Sequence, residues 1–192
     1  MIIIGITGTL GAGKGTVVDF LIKEKGFRHF SVRGLLTKLI KKEGKVVNRD
    51  SMVEVANKLR SEHGPSFLVE ELYKEARKSK ENCIIESIRT EGEIDSLRKK
   101  GRFYLIAIDA DPKVRYKRIT LRGSETDEIS FEKFLEDEKR EMNSMDPTKQ
   151  NLRRCMELAD YKIQNNGTLE SLNKQVSEIV YEIEKGGKER KN

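Results

Sequence analysis

Five short apolar runs stand out from an otherwise heavily charged chain: Ile2 to Ile6, Phe27 to Val32, Cys83 to Glu86, Phe103 to Ile108 and Tyr161 to Ile163. Each is rich in β-branched or aromatic residues and lies near a segment with helical spacing. Continuous apolar runs suit strands covered on both faces, as in a parallel sheet between layers of helices. The alternation predicts a doubly wound α/β fold. It is a three-layer sandwich of about five parallel strands, with right-handed crossovers and helices on both faces. Ligands of such sheets collect beyond the carboxyl ends of the strands. That rule puts Gly8 to Thr16, Ser31 to Arg33, Glu86 to Arg89 and Asp109 to Asp111 on one rim.

The helical patterns carry their own start signals. Val17, Val18, Leu21 and Ile22 follow the first strand. A second pattern, with Val53, Val55, Ala56 and Leu59, opens at Asn48-Arg49-Asp50-Ser51. Asp111-Pro112 reads as an N-cap followed by proline at the first helical position. Ser130 caps a helix with Phe131, Phe134, Leu135 and Met142, and Thr168 one with Leu172, Val176, Ile179, Val180 and Ile183. The polar stretch Gly123 to Glu128 reads as a compact tip of a short helical lid spanning about residues 115–142. Residues 1–185 form the expected domain, and 186–192 a frayed basic tail.

With 192 residues the chain can bury a core without staples. Its net charge of +6 favours anionic partners. No aromatic-and-basic surface motif accompanies that charge, so nucleic acid is not expected. Cys83, Cys155, His29 and His63 show no metal-ligand spacing, and Cys83 sits in an apolar run as a buried, inert thiol. A reducing cytoplasm fits. The apolar start is too short for a signal peptide and no run approaches membrane-spanning length, so no membrane partner is expected. Oligomeric state leaves no signature in the sequence.

Chemistry enters with Gly8-Thr9-Leu10-Gly11-Ala12-Gly13-Lys14-Gly15-Thr16, set between the first strand and the first helix. Strand, glycine-rich loop and helix, in that order, make a phosphate-binding loop. The glycines let several backbone N–H groups turn round one anion, and the helix adds the positive end of its dipole. Lys14 reaches the β- and γ-phosphates of a nucleotide, and Thr16 brings a hydroxyl near its metal. Gly15 stands where the strict pattern has Ser or Thr, so the Thr16 hydroxyl comes one residue late.

Arginines form a second constellation. Arg115, Arg118 and Arg122 fall on one helix face, by spacings of three and four. Beside a phosphate loop such a stripe suits phosphoryl transfer, which is mostly positioning and cationic stabilisation. Arg118 and Arg122 are the favoured members, and Arg140 either joins them or pairs with a nearby Glu. Glu86, ending the third strand, either holds hydrated magnesium or orients an acceptor, and Arg89 clamps the acceptor phosphate. Ser31 and Arg33 emerge on the same rim. Arg49 is placed at a second ligand or in solvent, and Arg60 on a solvated helix face.

Together these residues resemble the nucleoside-monophosphate-kinase branch of the P-loop kinases. The Gly13-Lys14-Gly15-Thr16 ending is similar to adenylate-kinase loops, and Ile85 to Arg89 to their strand-end Asp-Gly-x-x-Arg signature, with Glu86 for the aspartate. Ser87 to Asp95, Asp109 to Arg118 and Phe131 to Glu141 resemble an archaeal-type family of nucleotide kinases related to adenylate, cytidylate and dephospho-coenzyme A kinases. The resemblance implies a P-loop NTPase fold, ATP and Mg2+ as cofactors, and a small-molecule nucleotide acceptor held through Ser31, Arg33, Glu86 and Arg89. Gly8, Gly11, Ala12, Gly13, Lys14, Gly15 and Thr16 would hold the donor, with Asn166 and Gly167 beside its adenine. Lys14, Arg89, Arg118 and Arg122 would be catalytic, and Thr16 and Glu86 would face the metal. A dephospho-coenzyme A acceptor and a regulatory ATPase are the alternatives.

Overall fold

The computed structural model describes residues 1–124 and 129–186. The sheet has five strands, β1 (Ile3–Gly8), β2 (Arg28–Ser31), β3 (Cys83–Glu86), β4 (Phe103–Asp109) and β5 (Tyr161–Gln164). They are all parallel, in the order β2-β3-β1-β4-β5. All five apolar runs of the sequence are strands.

Alternation along β1 sorts the core into two layers. Ile4 and Ile6 face a cluster completed by α1 (Lys14–Lys25) and α9 (Leu169–Glu184), through Val17, Leu21, Val176 and Val180. Ile3 faces the opposite cluster, with Leu36 and Ile40 of α2 (Val32–Lys42), Val55 and Ala56 of α3 (Arg49–His63), and Leu68 and Leu72 of α4 (Phe67–Ser79). Ile94 and Leu97 of α5 (Glu91–Arg98) and Cys155 of α8 (Leu152–Glu157) complete it. Burial pushes the Cys83 thiol up to about 11 and the Cys155 thiol up to about 12, so both stay protonated and inert.

The expected caps are present. Ser130 accepts from Lys133 N at the start of α7 (Phe131–Met142), and Thr168 accepts from Ser171 N. Asp111 stands at the N-cap of α6 (Pro112–Arg122), but its side chain makes no capping bond. Strand β2 is shorter than the apolar run, because Ser31 Oγ accepts from Gly34 N and makes Val32 the first residue of α2. Two expectations concern undescribed residues: of the lid tip, 125–128 lie outside the described residues, and so do 187–192 of the tail.

Register brings the rim together. Ile6 pairs with Glu86, Ser31 with Glu86, Gly8 with Ile108 and Asp109 with Gln164. Five strand ends thus open on one side of the sheet, and α6, α7 and α3 rise around them.

Candidate functional site

The phosphate loop is held from three directions. Gly8, Gly11 and Gly13 all take positive φ. At Gly11 a Cβ would stand 2.5 Å from the Arg115 carbonyl oxygen, and at Gly13 one would stand 2.4 Å from Asn165 Nδ2, so only glycine lets these neighbours approach. Asn165 Nδ2 donates to Ala12 O at 2.8 Å, Asn165 N donates to Asp109 O at 2.7 Å, and Arg118 Nη1 donates to Asn165 O at 2.9 Å. Thr9 Oγ1 donates to Asp109 Oδ1 at 2.5 Å. Arg115 is buried, donates to Ala110 O and Leu10 O, and pairs through both Nη atoms with Glu138 of α7.

Lys14 bridges two carbonyls of the same loop, donating to Gly8 O at 2.9 Å and Thr9 O at 2.7 Å. Burial, with the Arg89 charge next, brings its ammonium down to about 7. Arg89 Nη1 also donates to Gly8 O, at 3.2 Å. Its backbone is pinned by Glu93 Oε2, which accepts from Arg89 N at 2.7 Å, and by Asn151 N, which donates to Arg89 O at 2.9 Å. Ser87, just past Glu86, holds φ at 72°, a left-handed conformation that L residues other than Asn and Asp seldom take. Glu86 accepts a hydrogen bond across the sheet edge: His29 Nε2 lies 3.1 Å from Glu86 Oε2. Burial raises the Glu86 carboxyl, but the His29 bond and the nearby Lys14 charge outweigh it and hold the group below its ordinary range.

A single cleft of about 830 Å3 runs over these groups. Gly11, Gly13, Lys14, Gly15 and Thr16 form its floor, and Arg118 and Arg122 come from α6. Arg33, Arg49, Arg60, Glu86, Arg89 and Glu141 continue it towards α3 and α7. Among the described residues along its walls, seven cationic side chains face three carboxylates, Asp19, Glu86 and Glu141. Such an excess focuses positive potential on one concave surface.

A family model described as an AAA domain matches residues 4–146. A UPF0200 protein of Methanococcus vannielii is 30% identical over 191 residues, covering 96% of this chain and 100% of the relative. One of Methanocaldococcus jannaschii is 31% identical over 186 residues, covering 95% and 91%. The chain belongs to the AAA-domain family and to the UPF0200 family. Solved structures share its fold. The Thermus thermophilus protein TT1252 superposes with a TM-score of 0.61 at 19% identity, covering 94% of this chain and 97% of that one. Shikimate kinase of Aquifex aeolicus does so with a TM-score of 0.53 at 17% identity, covering 97% and 100%. The fold is that of P-loop kinases.

Ten of the residues expected at the site from the sequence line the cleft of this UPF0200 chain: Gly11, Gly13, Lys14, Gly15, Thr16, Arg33, Glu86, Arg89, Arg118 and Arg122. Gly8 and Ala12 support it through their carbonyls. Ser31 is engaged in capping α2. Asn166 Oδ1 accepts from Asp111 N at 2.8 Å, tying the loop after β5 to the start of α6, and neither Asn166 nor Gly167 lines the cleft.

Three arginines are held by carboxylates of the chain. Arg115 shares a stripe with Arg118 and Arg122 but is spent on Glu138 and loop carbonyls, because the first turn of α6 lies beneath the loop. Arg140 pairs with Asp50 and Asp137 rather than entering the site. Arg60 is not solvated: it is 1% exposed and donates through Nε and Nη2 to Glu93 Oε1, at 3.0 and 2.8 Å. Glu93 and Asn165 were not anticipated. Glu93 had a local signal, since Thr90-x-x-Glu93 is a capping box, and Thr90 and Glu93 do cap α5 reciprocally.

Proposed function

We propose that the chain is an ATP- and Mg2+-dependent phosphotransferase acting on a nucleoside or deoxynucleoside monophosphate. The observation that carries this reading is the cationic cleft itself. Its lining joins the phosphate loop, Arg118 and Arg122 of α6, Arg33 after β2 and Arg89 after β3. That is room and charge for two phosphate-bearing ligands end to end.

In this reading the loop N–H groups and Lys14 hold the β- and γ-phosphates of the donor. Lys14 takes up a proton and leaves the Gly8 and Thr9 carbonyls as the phosphate arrives. Arg33 and Arg89 orient the acceptor phosphate, whose oxygen attacks in line. The bond from the γ-phosphorus to the β,γ-bridging oxygen breaks as the new phosphorus–oxygen bond forms. Arg118 and Arg122 neutralise charge on the equatorial oxygens of the transferring group, and α6 and α7 act as a lid that excludes water. The loop bearing Asn166 and Gly167 borders the donor adenine.

The hydroxyl of Thr16 and the carboxylate of Glu86 are hard oxygen donors. That combination fits magnesium, which binds through one or two protein oxygens together with substrate phosphates. When bound, the ion neutralises phosphate charge.

The test is incubation with Mg-ATP and a panel of ribo- and deoxynucleoside monophosphates plus dephospho-coenzyme A, with ADP and phosphorylated products followed. At least one monophosphate is turned over, and Lys14→Ala loses about 100-fold or more in rate with an unchanged circular dichroism spectrum. ATP hydrolysis that no acceptor stimulates would overturn the reading in favour of a regulatory ATPase. Turnover of dephospho-coenzyme A alone would replace the acceptor.

A further inference from the structure

The far end of the cleft carries a feature that phosphate chemistry does not use. Among the described residues, four buried side-chain polar atoms have no hydrogen-bond partner: Asn57 Oδ1, Arg60 Nη1, Arg98 Nε and Gln150 Oε1. Arg98 reaches towards Leu158 and Asp160 and borders no cavity described above. The other three border the main cleft or the cavity that adjoins it. Arg60 and Gln150 line the main cleft, and Asn57 and Gln150 line an adjoining cavity of about 300 Å3 that shares Val53, Glu141 and Gln150 with it. Asn57 and Arg60 are three residues apart on α3 and share a helix face. Gln150 precedes Asn151, whose N–H holds the Arg89 carbonyl, so the wall is fastened to the loop that carries Arg89.

Buried polar atoms are paired as a rule, and three unpaired beside these cavities call for a partner from outside the chain. Glu93 grips Nε and Nη2 of Arg60 and fixes the guanidinium plane while leaving Nη1 over. Terminal amide torsions are broad, so the Asn57 and Gln150 amides turn towards the lumen at little cost. Around them stand the aliphatic residues Val32, Leu36, Met52, Val53 and Ala56, beside the closed Arg49–Glu141 pair.

We propose that this wall reads the base of the acceptor nucleotide. Arg60 Nη1 donates to a ring nitrogen or carbonyl of the base, the Asn57 and Gln150 amides pair with its other edge groups, and Val32, Leu36, Met52 and Val53 pack on its faces. The inference rests on the nucleotide-acceptor reading above and deepens it. A flat heterocycle has apolar faces and a hydrogen-bonding edge, which matches aliphatic walls with a few polar atoms at one end. A polyol or sugar acid presents hydroxyls in all directions and would leave most of them against aliphatic carbon.

The test is titration calorimetry of the full chain with the four common ribonucleoside monophosphates and with ribose 5-phosphate, which keeps the phosphate and sugar but has no base. At least one nucleotide binds about tenfold or more tighter than ribose 5-phosphate. Asn57→Ala and Gln150→Ala each weaken that nucleotide by about five- to tenfold. They leave ribose 5-phosphate and ATP affinity within about twofold, since neither residue meets phosphate in this arrangement. Equal affinity of the wild-type chain for nucleotide and ribose 5-phosphate would overturn the proposal without any variant being needed. So would variants that weaken both ligands alike. Selective nucleotide binding without phosphorylation by Mg-ATP would retain the base-reading wall and sink the kinase reading. Phosphorylation indifferent to the base would do the reverse.

Discussion

The two ends of the cleft are built differently. At the phosphate-loop end, polar groups are satisfied by the chain itself: Lys14 by two loop carbonyls, Asn165 by Ala12 and Arg118, Thr9 by Asp109, and Arg115 by Glu138. At the α3–α7 end, Arg49 donates to Glu141 at 3.0 and 2.7 Å, Arg140 reaches out to Asp50, and three wall atoms are left unpaired. The contrast is between a preorganised corner and a wall with unmet hydrogen bonds. A preorganised corner suits a ligand whose polar part is always the same, because nothing reorganises when it binds. Unmet bonds suit discrimination, because a ligand lacking the right groups leaves them unmet.

Glu93 is where the two ends meet, since one oxygen holds Arg60 and the other holds the Arg89 backbone. Breaking it is therefore expected to have the largest effect. Glu93→Gln leaves the buried Arg60 without a counter-charge and destabilises the fold by about 3–5 kcal/mol, read by urea unfolding. A loss below about 1 kcal/mol would mean that the wall is not anchored through this pair.

Next comes Gly13→Ala, which attacks the corner alone. Its φ of 104° and the 2.4 Å approach to Asn165 Nδ2 force the loop to shift. Backbone strain of this kind costs about 1–3 kcal/mol, so ATP affinity falls by roughly 5- to 150-fold. Unchanged ATP affinity would show the corner to be adjustable after all.

The smallest effect is with pH. The Lys14 ammonium is held down near 7 in the free protein, and a bound phosphate raises it. Above pH 7 the lysine must gain a proton as the nucleotide binds. Affinity therefore drops by up to about tenfold per pH unit above 7, with net proton uptake visible by calorimetry in buffers of different ionisation enthalpy. Below pH 7 Lys14 is already charged and makes no such contribution. The base-reading wall holds Asn57 and Gln150, which do not titrate, so base preference stays constant over the same range. A preference that followed pH would blur the comparison.

Much of this was legible along the chain. Apolar runs bounded by polar turns marked all five strands: β1 and most of β4 are covered on both faces and have nowhere to put a charge, while the edge strands β2 and β5 expose Arg28 and Lys162. The rim followed from parallel topology. The phosphate loop, the caps of α7 and α9 and the arginines of α6 were readable because each depends on residues within a turn or two of one another. Arg60 was misread because its partner Glu93 is remote in the chain: alone, an arginine on a helix looks solvated. His29 likewise finds its partner Glu86 only when β2 pairs with β3.

By itself, then, the sequence determined the layered sheet, the position of the phosphate loop and which cations stand near it, all set by local periodicity, turn chemistry and strand order. Tertiary structure alone decided which of those cations are consumed as struts, as Arg115 is, and which line the cleft, as Arg118 and Arg122 do. It alone decided where polar atoms go without a partner. Pairing of charges and satisfaction of buried hydrogen bonds depend on distance in space, and only the packing of α3, α5, α6 and α7 around the strand ends sets that distance.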